Sequence, residues 1–280
     1  MEREAFQKDV FISMSHCAYD ARMDISALAT LCADLATEHA ERLGIGTKLV
    51  REKGIFWMTA RTQLRIHRAP ALGEGVLART WIGSLRGAHS VRCYRLVQKE
   101  ELLAEGRTTY VGVNVRTGAP TDLEAALHCQ AFERGDMCCA DFPERMQADI
   151  AQMECLGERT VRSIHIDLGG HMNNAMYPKM LLSAFSCHEL QALGLRRADF
   201  WFRKPCMEGE TLRVMRSTGA SPLQMALFKK DETPALLAEL RTSYKAICVR
   251  NARGGATASP RVLFEFHRAA ARRTSTYWWA

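Results

Sequence analysis

The most constraining feature of this 280-residue chain is an internal repeat. Residues 102–110, LLAEGRTTY, return as residues 236–244, LLAELRTSY, with one non-identity, Gly106 against Leu240, and one conservative change. Two shorter matches keep the same order along the chain: residues 43–45 with 193–195, and residues 73–74 with 209–210. The matching segments lie far apart in the chain, so the repeated unit is long. Because two copies of a short unit could not close a core, a long repeated unit indicates a duplicated domain.

The first copy has the pattern of one helix followed by strands. Apolar residues recur at three- and four-residue spacing over residues 24–43, and Asp24 can cap that helix before it ends at Gly44. A short first strand is expected within residues 10–14, and longer strands over residues 55–68, 76–82, 88–97 and 102–115. This order predicts an α+β fold in which an antiparallel sheet wraps a single helix.

Four segments follow from the repeat. An N-terminal domain is expected over residues 1–118, a linker over 119–158, a C-terminal domain over 159–250 and a basic, disordered tail over 251–280. The linker contains two helical patterns, over residues 122–132 and 144–156.

Charge and composition exclude several function classes. The formal net charge is +7, but the segment from Arg250 onward holds six arginines and one glutamate, so the body is close to neutral and lacks the basic face of a nucleic-acid-binding protein. The sequence contains no run of about 18 apolar residues, which a membrane-spanning helix would need. Its first residues are polar and acidic, unlike those of a secretory signal. The ten cysteines lack metal-ligand spacing. We therefore expect a cytoplasmic protein with reduced thiols and without a metal or other cofactor.

The candidate catalytic side chains lie in residues 164–174, IHIDLGGHMNN. An extended segment is expected to end near Asp167, a tight turn to follow at residues 169–170, and Asn173 or Asn174 to cap a helical segment that reaches about residue 195. Asp167 and His171 then flank a helix N-terminus, where backbone N–H groups can hold a developing oxyanion.

The first copy lacks this pair of groups. Aligning the two helix ends puts Cys17 opposite Asp167, Ala21 opposite His171 and Asp24 opposite Asn174. The second copy is therefore the expected chemical half.

The stretch resembles a motif of the acyl-acyl-carrier-protein thioesterases, Asp-x-Asn-x-His-x-Asn-Asn. Asp167, His171, Asn173 and Asn174 match, whereas Gly169 stands where the family has Asn. Pro205 also stands where the family has a Glu, for which Glu208 or Glu210 could substitute. The resemblance, which spans most of residues 5–250, implies two tandem hot-dog domains and an enzyme that releases fatty acids from acyl carrier protein.

Roles can be assigned around one thioester carbonyl. Asp167 is expected to act as general base or nucleophile and His171 as its hydrogen-bonding and proton-handling partner. Gly169, Asn173 and Asn174 are the expected supporting groups, with the backbone N–H groups of residues 173–175 as oxyanion donors. His171 could instead bind a backbone carbonyl, and the two asparagines could be only caps.

The acyl-binding cavity is expected to form mainly from the first copy. Trp57, Met58 and Ile66 are the candidate walls, with Cys206 from the second copy, although each could equally be ordinary core.

The carrier protein is the expected partner, and Arg203 and Lys204 could meet its acidic surface. Two other functions stay open: an acyl-binding protein weakened in catalysis, and an acyl-CoA thioesterase or a related dehydratase. A homodimer also stays open, because free sheet edges can pair.

Overall fold

One antiparallel sheet of ten strands runs through the part of the chain that this computed structural model describes, residues 5–127, 135–142, 153–218 and 222–242. The strand order is β1-β3-β4-β5-β2-β7-β10-β9-β8-β6. The first half supplies β1 (Phe6–Phe11), β2 (Ile55–Ile66), β3 (Gly75–Arg86), β4 (His89–Gln98) and β5 (Glu101–Asn114). The second half supplies β6 (Met153–Thr160), β7 (Leu195–Phe202), β8 (Thr211–Ser217), β9 (Leu223–Phe228) and β10 (Pro234–Thr242).

The two halves join where β2 pairs with β7. Leu64 lies opposite Ala198 at the centre of this pairing, and a buried ion pair links the halves nearby, with Arg61 Nη2 2.6 Å from Asp199 Oδ2. Gln63 donates a further 3.0 Å hydrogen bond to the same oxygen. Because the repeat also equates residues 64 and 198, a pseudo-twofold axis passes through this pair of residues.

The non-identity inside the repeat has a packing cause. Gly106 of β5 lies opposite Leu64, whereas its counterpart Leu240 of β10 lies opposite Ala198. A Cβ at position 106 would lie 2.7 Å from Leu64 Cδ2, which is too close. Each half therefore places one leucine and one small residue in this cross-strand pair, on opposite strands.

The helix of the first half forms as predicted. Helix α1 (Ile25–Arg42) packs its apolar side on the sheet, and its buried residues include Leu28, Leu31 and Leu35. The Asp24 carboxylate accepts hydrogen bonds from the backbone N–H groups of residues 26 and 27 at 2.7 and 2.8 Å. A short helix α2 (Thr47–Lys53) follows before β2.

The second half does not keep one long helix. The predicted segment over residues 175–195 is split into α4 (Met176–Leu182) and α5 (Cys187–Leu193). The reason is a new start at Ser186, whose hydroxyl accepts from the Glu189 N–H while the Glu189 carboxylate accepts from the Ser186 N–H.

Part of the predicted linker belongs to the sheet. Helix α3 (Leu123–Ala126) lies within the first predicted helical run, but β6 begins at Met153, so the helical prediction over residues 144–156 is wrong from there onward. Segment 135–142 crosses the sheet junction, where Asp141 pairs with Arg65 and Arg197 at 2.5 and 3.1 Å. The predicted tail, residues 251–280, lies outside the described residues.

Within the described ranges, no helix combines the length and the hydropathy that a membrane span requires.

Candidate active site

The motif forms a small hairpin rather than the end of a strand. A 3-10 turn at Ser163–His165 is followed by an antiparallel bridge between Ile166 and Met172. Within this hairpin the Asp167 N–H donates to the His171 carbonyl at 3.1 Å. Gly170 makes the tight turn with a φ of 74°, a conformation that costs little without a Cβ. The turn therefore brings the backbones at positions 167 and 171 together.

The acid and the imidazole face each other across this hairpin. Asp167 Oδ1 lies 3.9 Å from His171 Nδ1, and both side chains are about 30% exposed. The same carboxylate oxygen accepts the Gly169 N–H at 2.8 Å, which fixes its orientation. The alternative carbonyl contact of His171, from Nδ1 to the Met172 oxygen, is long at 3.5 Å. The geometry thus suits a proton-transfer pair that is open to substrate.

Gly169 allows this arrangement. A Cβ at position 169 would lie 2.9 Å from His171 Nε2 and 3.0 Å from Asp167 Oδ1. The imidazole therefore occupies space that a larger residue, such as the family's Asn, would need.

The two asparagines have different roles. Asn173 holds the loop, since its side chain accepts the Ala175 N–H at 2.8 Å and its own N–H donates to the His165 carbonyl at 2.8 Å. The N–H groups of residues 173 and 175 are thus already used, so the prediction of them as oxyanion donors is wrong. Among the described residues the backbone N–H and side chain of Asn174 have no recorded hydrogen-bond partner. Asn174 is the donor that remains.

The structure corrects the register between the two copies by one residue. The bridge between Cys17 and Met23 corresponds to that between Ile166 and Met172, and Ala21, with a φ of 56°, occupies the turn position of Gly170. Asp167 therefore corresponds to position 18, His171 to position 22, and Asn173 to the cap Asp24. Aligning helix ends missed this because the helical segment of the second half is split, so the end matched with that of α1 belongs to α5 and not to α4. The first copy still offers neither an acid nor an imidazole at these two positions.

Cys206 binds the hairpin through its backbone. Its carbonyl accepts the Met172 N–H at 2.7 Å, and its own N–H donates to the Tyr177 hydroxyl at 3.0 Å. The thiol is fully buried, and burial raises the pKa of Cys206. Glu210, a proposed substitute for the missing Glu, instead accepts the Met207 N–H at 2.9 Å and pairs with Lys229 at 3.0 Å.

A cavity of about 30 Å³ lies between the two halves, and its lining includes Asn174, two residues after the hairpin ends at Met172. Its helix side is formed by Ala29 and Ala33 of α1, and by Asn174 and Ala175 at the start of α4. Its sheet side comes from β2, β5 and β7, including the fully buried Phe200. Both halves thus contribute walls, and the segment that follows His171 contributes one of them.

The four predicted substrate-binding residues lie outside this wall. Trp57 donates from Nε1 to the Ile45 carbonyl at 2.7 Å, and Met58 is 45% exposed on the other side of the strand. Ile66 is buried in the main core, and Cys206 lies behind the hairpin. The cavity wall is made largely by smaller residues, such as alanines and threonines. The prediction chose residues for their apolar character, and that criterion does not single out such small residues.

Comparison with known proteins identifies the family. The family model for the acyl-ACP thioesterase N-terminal domain matches residues 3–127, and that for the acyl-ACP thioesterase C-terminal domain matches residues 150–245. Together they cover more than half of the chain. The chain belongs to the acyl-ACP thioesterase family.

Curated relatives in this family are distant plant proteins. A palmitoyl-acyl carrier protein thioesterase of Gossypium hirsutum is 22% identical over 242 residues, which are 79% of this chain and 57% of the relative. Oleoyl-acyl carrier protein thioesterase 1 of Arabidopsis thaliana is 23% identical over 222 residues, 69% of this chain and 58% of the relative. Both are described as chloroplastic. The chain thus spans somewhat more than half the length of the relatives that it matches.

Solved structures confirm the predicted fold, two tandem hot-dog domains. An acyl-ACP thioesterase from Bacteroides thetaiotaomicron superposes with a TM-score of 0.76 at 17% identity, covering 85% of this chain and 97% of that one. The 12:0-ACP thioesterase from Umbellularia californica gives 0.75 at 16% identity, covering 86% and 98%. At these identities the likeness establishes the architecture and leaves the chemistry to the residues of this chain.

Proposed function

We propose that this protein hydrolyses the thioester between an acyl chain and acyl carrier protein, in the cytoplasm. One observation carries the proposal: the hairpin brings Asp167 and His171 together directly before the segment that lines the cavity between the two halves. Membership of the acyl-ACP thioesterase family supports the reaction class and the carrier. The eight described cysteines are all free thiols, which supports a reducing compartment.

The hydrolysis follows from the positions of these groups. The Asp167 carboxylate takes a proton from a water molecule, and the resulting hydroxide attacks the thioester carbonyl carbon. The oxygen of the tetrahedral intermediate accepts hydrogen bonds from Asn174. The carbon–sulfur bond then breaks, and the proton taken up by Asp167 passes through His171 to the departing thiolate, which restores both side chains. The products are a free acid and the carrier thiol.

The carrier is proposed to approach over residues 203–204. Arg203 and Lys204 are exposed on the loop whose next residues hold the hairpin from behind. Their charge would attract an acidic partner at low ionic strength. The expectation of a homodimer stays a prediction.

Thiol release is the decisive assay. The purified full-length chain should release free thiol from acyl-carrier substrates, and Asp167→Asn should lower kcat at least about 100-fold, because it removes the base but keeps the acceptor for the Gly169 N–H. Asp20→Asn is the matched control, since Asp20 is an exposed turn carboxylate in the first copy that likewise accepts a backbone N–H. It should retain activity.

Two results would contradict the proposal. Tight acyl binding without thiol release would indicate an acyl-binding protein instead. Release from coenzyme A thioesters alone, with none from the carrier, would keep the chemistry but remove the proposed partner.

A further inference from the structure

The sheet side of the cavity is unusually rich in hydroxyl groups. Thr59, Thr62, Thr108 and Tyr110 all line it. The hydroxyl oxygens of Thr62 and Thr108 lie 3.2 Å apart, and those of Tyr110 and the fully buried Tyr94 also lie 3.2 Å apart. An alkyl chain needs none of these groups, and hydrocarbon packed against them gains no hydrogen bond.

These hydroxyls are held in a form that can donate. Burial raises the pKa of both Tyr94 and Tyr110, so the two phenols stay protonated over the working pH range. Arg92, only 5% exposed, lies on the next strand and binds His39 Nδ1 at 2.7 Å. No carboxylate in the described ranges is recorded as an ion-pair partner of Arg92. Its positive field therefore favours an electron-rich oxygen near the phenols.

The cavity is also short. A volume of about 30 Å³ holds about two water-sized groups, since each needs about 10–15 Å³. The core around it is tightly filled, since Phe200 in its wall and Leu64 and Tyr94 on the neighbouring strand segments are fully buried. Each methylene beyond this volume displaces packed side chains, so a long acyl chain costs more to accommodate than a short one.

We infer that this cavity receives a short acyl chain carrying an oxo or hydroxyl group, whose oxygen binds the hydroxyls of Thr108 and Tyr110. The inference rests on the proposed thioesterase function and names its substrate class. The reacting bond is unchanged: the oxygen-bearing chain enters the cavity, and its thioester carbonyl stays at the hairpin.

A matched set of thioesters tests this substrate class. Butyryl, 3-hydroxybutyryl and palmitoyl groups on the same carrier should be compared by thiol release from the full-length protein. We expect kcat/KM for the 3-hydroxybutyryl thioester to exceed that for each of the others at least about 10-fold, because one net hydrogen bond to a buried donor contributes roughly that factor. Faster release of palmitate than of 3-hydroxybutyrate would overturn the inference.

A pair of variants on β5 locates the preference. Thr108→Val removes a hydroxyl from the cavity, whereas Thr109→Val removes one from the opposite face of the same strand. We expect Thr108→Val to raise KM about 10-fold more for the 3-hydroxybutyryl thioester than for the butyryl thioester, with Thr109→Val unchanged and both proteins folded. Equal effects of Thr108→Val on both substrates would overturn the assignment.

A binding measurement separates this inference from the function that it rests on. Calorimetric titration of Asp167→Asn with 3-hydroxybutyryl and butyryl coenzyme A should show about a tenfold tighter Kd for the hydroxylated group. If the wild type releases no thiol but this difference is found, the hydrolase proposal fails while the binding preference stands. If thiol is released but the two dissociation constants agree, the substrate class is wrong while the hydrolase stands.

Discussion

Gly169 shows how one residue can redirect a site. The turn at residues 167–171 brings an acid and an imidazole close together, and the absent Cβ leaves space for the His171 ring above position 169. The imidazole then lies 3.9 Å from Asp167, a distance that a small movement can shorten to a hydrogen bond on substrate binding. This departure from the family motif is therefore compatible with the proposed proton transfer.

His39 gives the protein a pH-dependent stability. Burial, and next the charge of Arg92, lower the pKa of His39 to about 4, whereas an unfolded histidine titrates near 6.5. Between these values the unfolded chain binds a proton that the folded protein does not, so the free energy of unfolding falls as pH falls from about 6.5 towards 4. Because the ring is partly exposed, we expect a loss of about 1 kcal/mol rather than the roughly 3 kcal/mol of a fully shielded group.

Urea unfolding at a series of pH values measures this effect. His39→Gln cannot take up the proton but keeps an oxygen acceptor for the Arg92 guanidinium, so its stability should depend less on pH below 6.5 than that of the wild type. Parallel pH profiles for the two proteins would show that His39 does not carry the dependence.

At the scale of the strands, the leucine and glycine that face each other on β2 and β5 should be energetically coupled. We expect Gly106→Ala to cost about 1–3 kcal/mol, since its new Cβ would overlap the Leu64 side chain. Leu64→Ala alone should cost about 2–5 kcal/mol. The double variant has an alanine at position 64, as the second half has at Ala198 of β7. We expect it to lose at least about 1 kcal/mol less unfolding free energy than the sum of the two single losses.

Chemical denaturation of the four proteins completes this double-mutant cycle. The pair Leu227→Ala and Gly112→Ala serves as an additive control, because Leu227 lies in the main core whereas a Cβ at position 112 would meet Leu123 of a separate cluster. Additivity in both cycles would show that the exchange of large and small residues between the halves has no energetic basis.

The elements also show how far the sequence could predict the structure. Alternation, the Asp24 cap and the repeat predicted α1 and the strands β2 to β5 to within a few residues. The sequence did not predict which residues line the cavity, because the register of β2 shifts between Thr59 and Arg61. This bulge puts Thr59 and Thr62 on one face of the sheet and turns Met58 to solvent. No residue pattern in the sequence predicted the bulge.

The proximity of Asp167 and His171 was predictable, but the hydrogen bonds around them were not. Asp167 and His171 could be placed together because a two-glycine turn separates them. The Asn173 N–H is used by the 3-10 turn at Ser163–His165, where the sequence predicted an extended segment, and the Ala175 N–H is used by the Asn173 side chain. Periodicity over three residues does not distinguish those two conformations.

At the scale of the whole molecule, both halves contribute residues to the candidate site. The second copy brings the hairpin with its acid and imidazole, and the first brings α1, β2 and β5 as cavity walls. The continuous sheet through β2 and β7, with its buried Arg61–Asp199 pair, fixes the halves against each other. A duplicated domain can in this way keep one chemical half and release the other for shaping the substrate pocket.

The most direct test of this division changes the half that has no catalytic group. Ala33→Leu on α1 fills the cavity from the first copy, far along the chain from Asp167, and Thr37→Leu adds the same side chain at an exposed position one turn further on. Steady-state thiol release should show kcat/KM reduced at least about 10-fold by Ala33→Leu and unchanged by Thr37→Leu, with both proteins folded. Full activity of Ala33→Leu would contradict a site shared between the two halves.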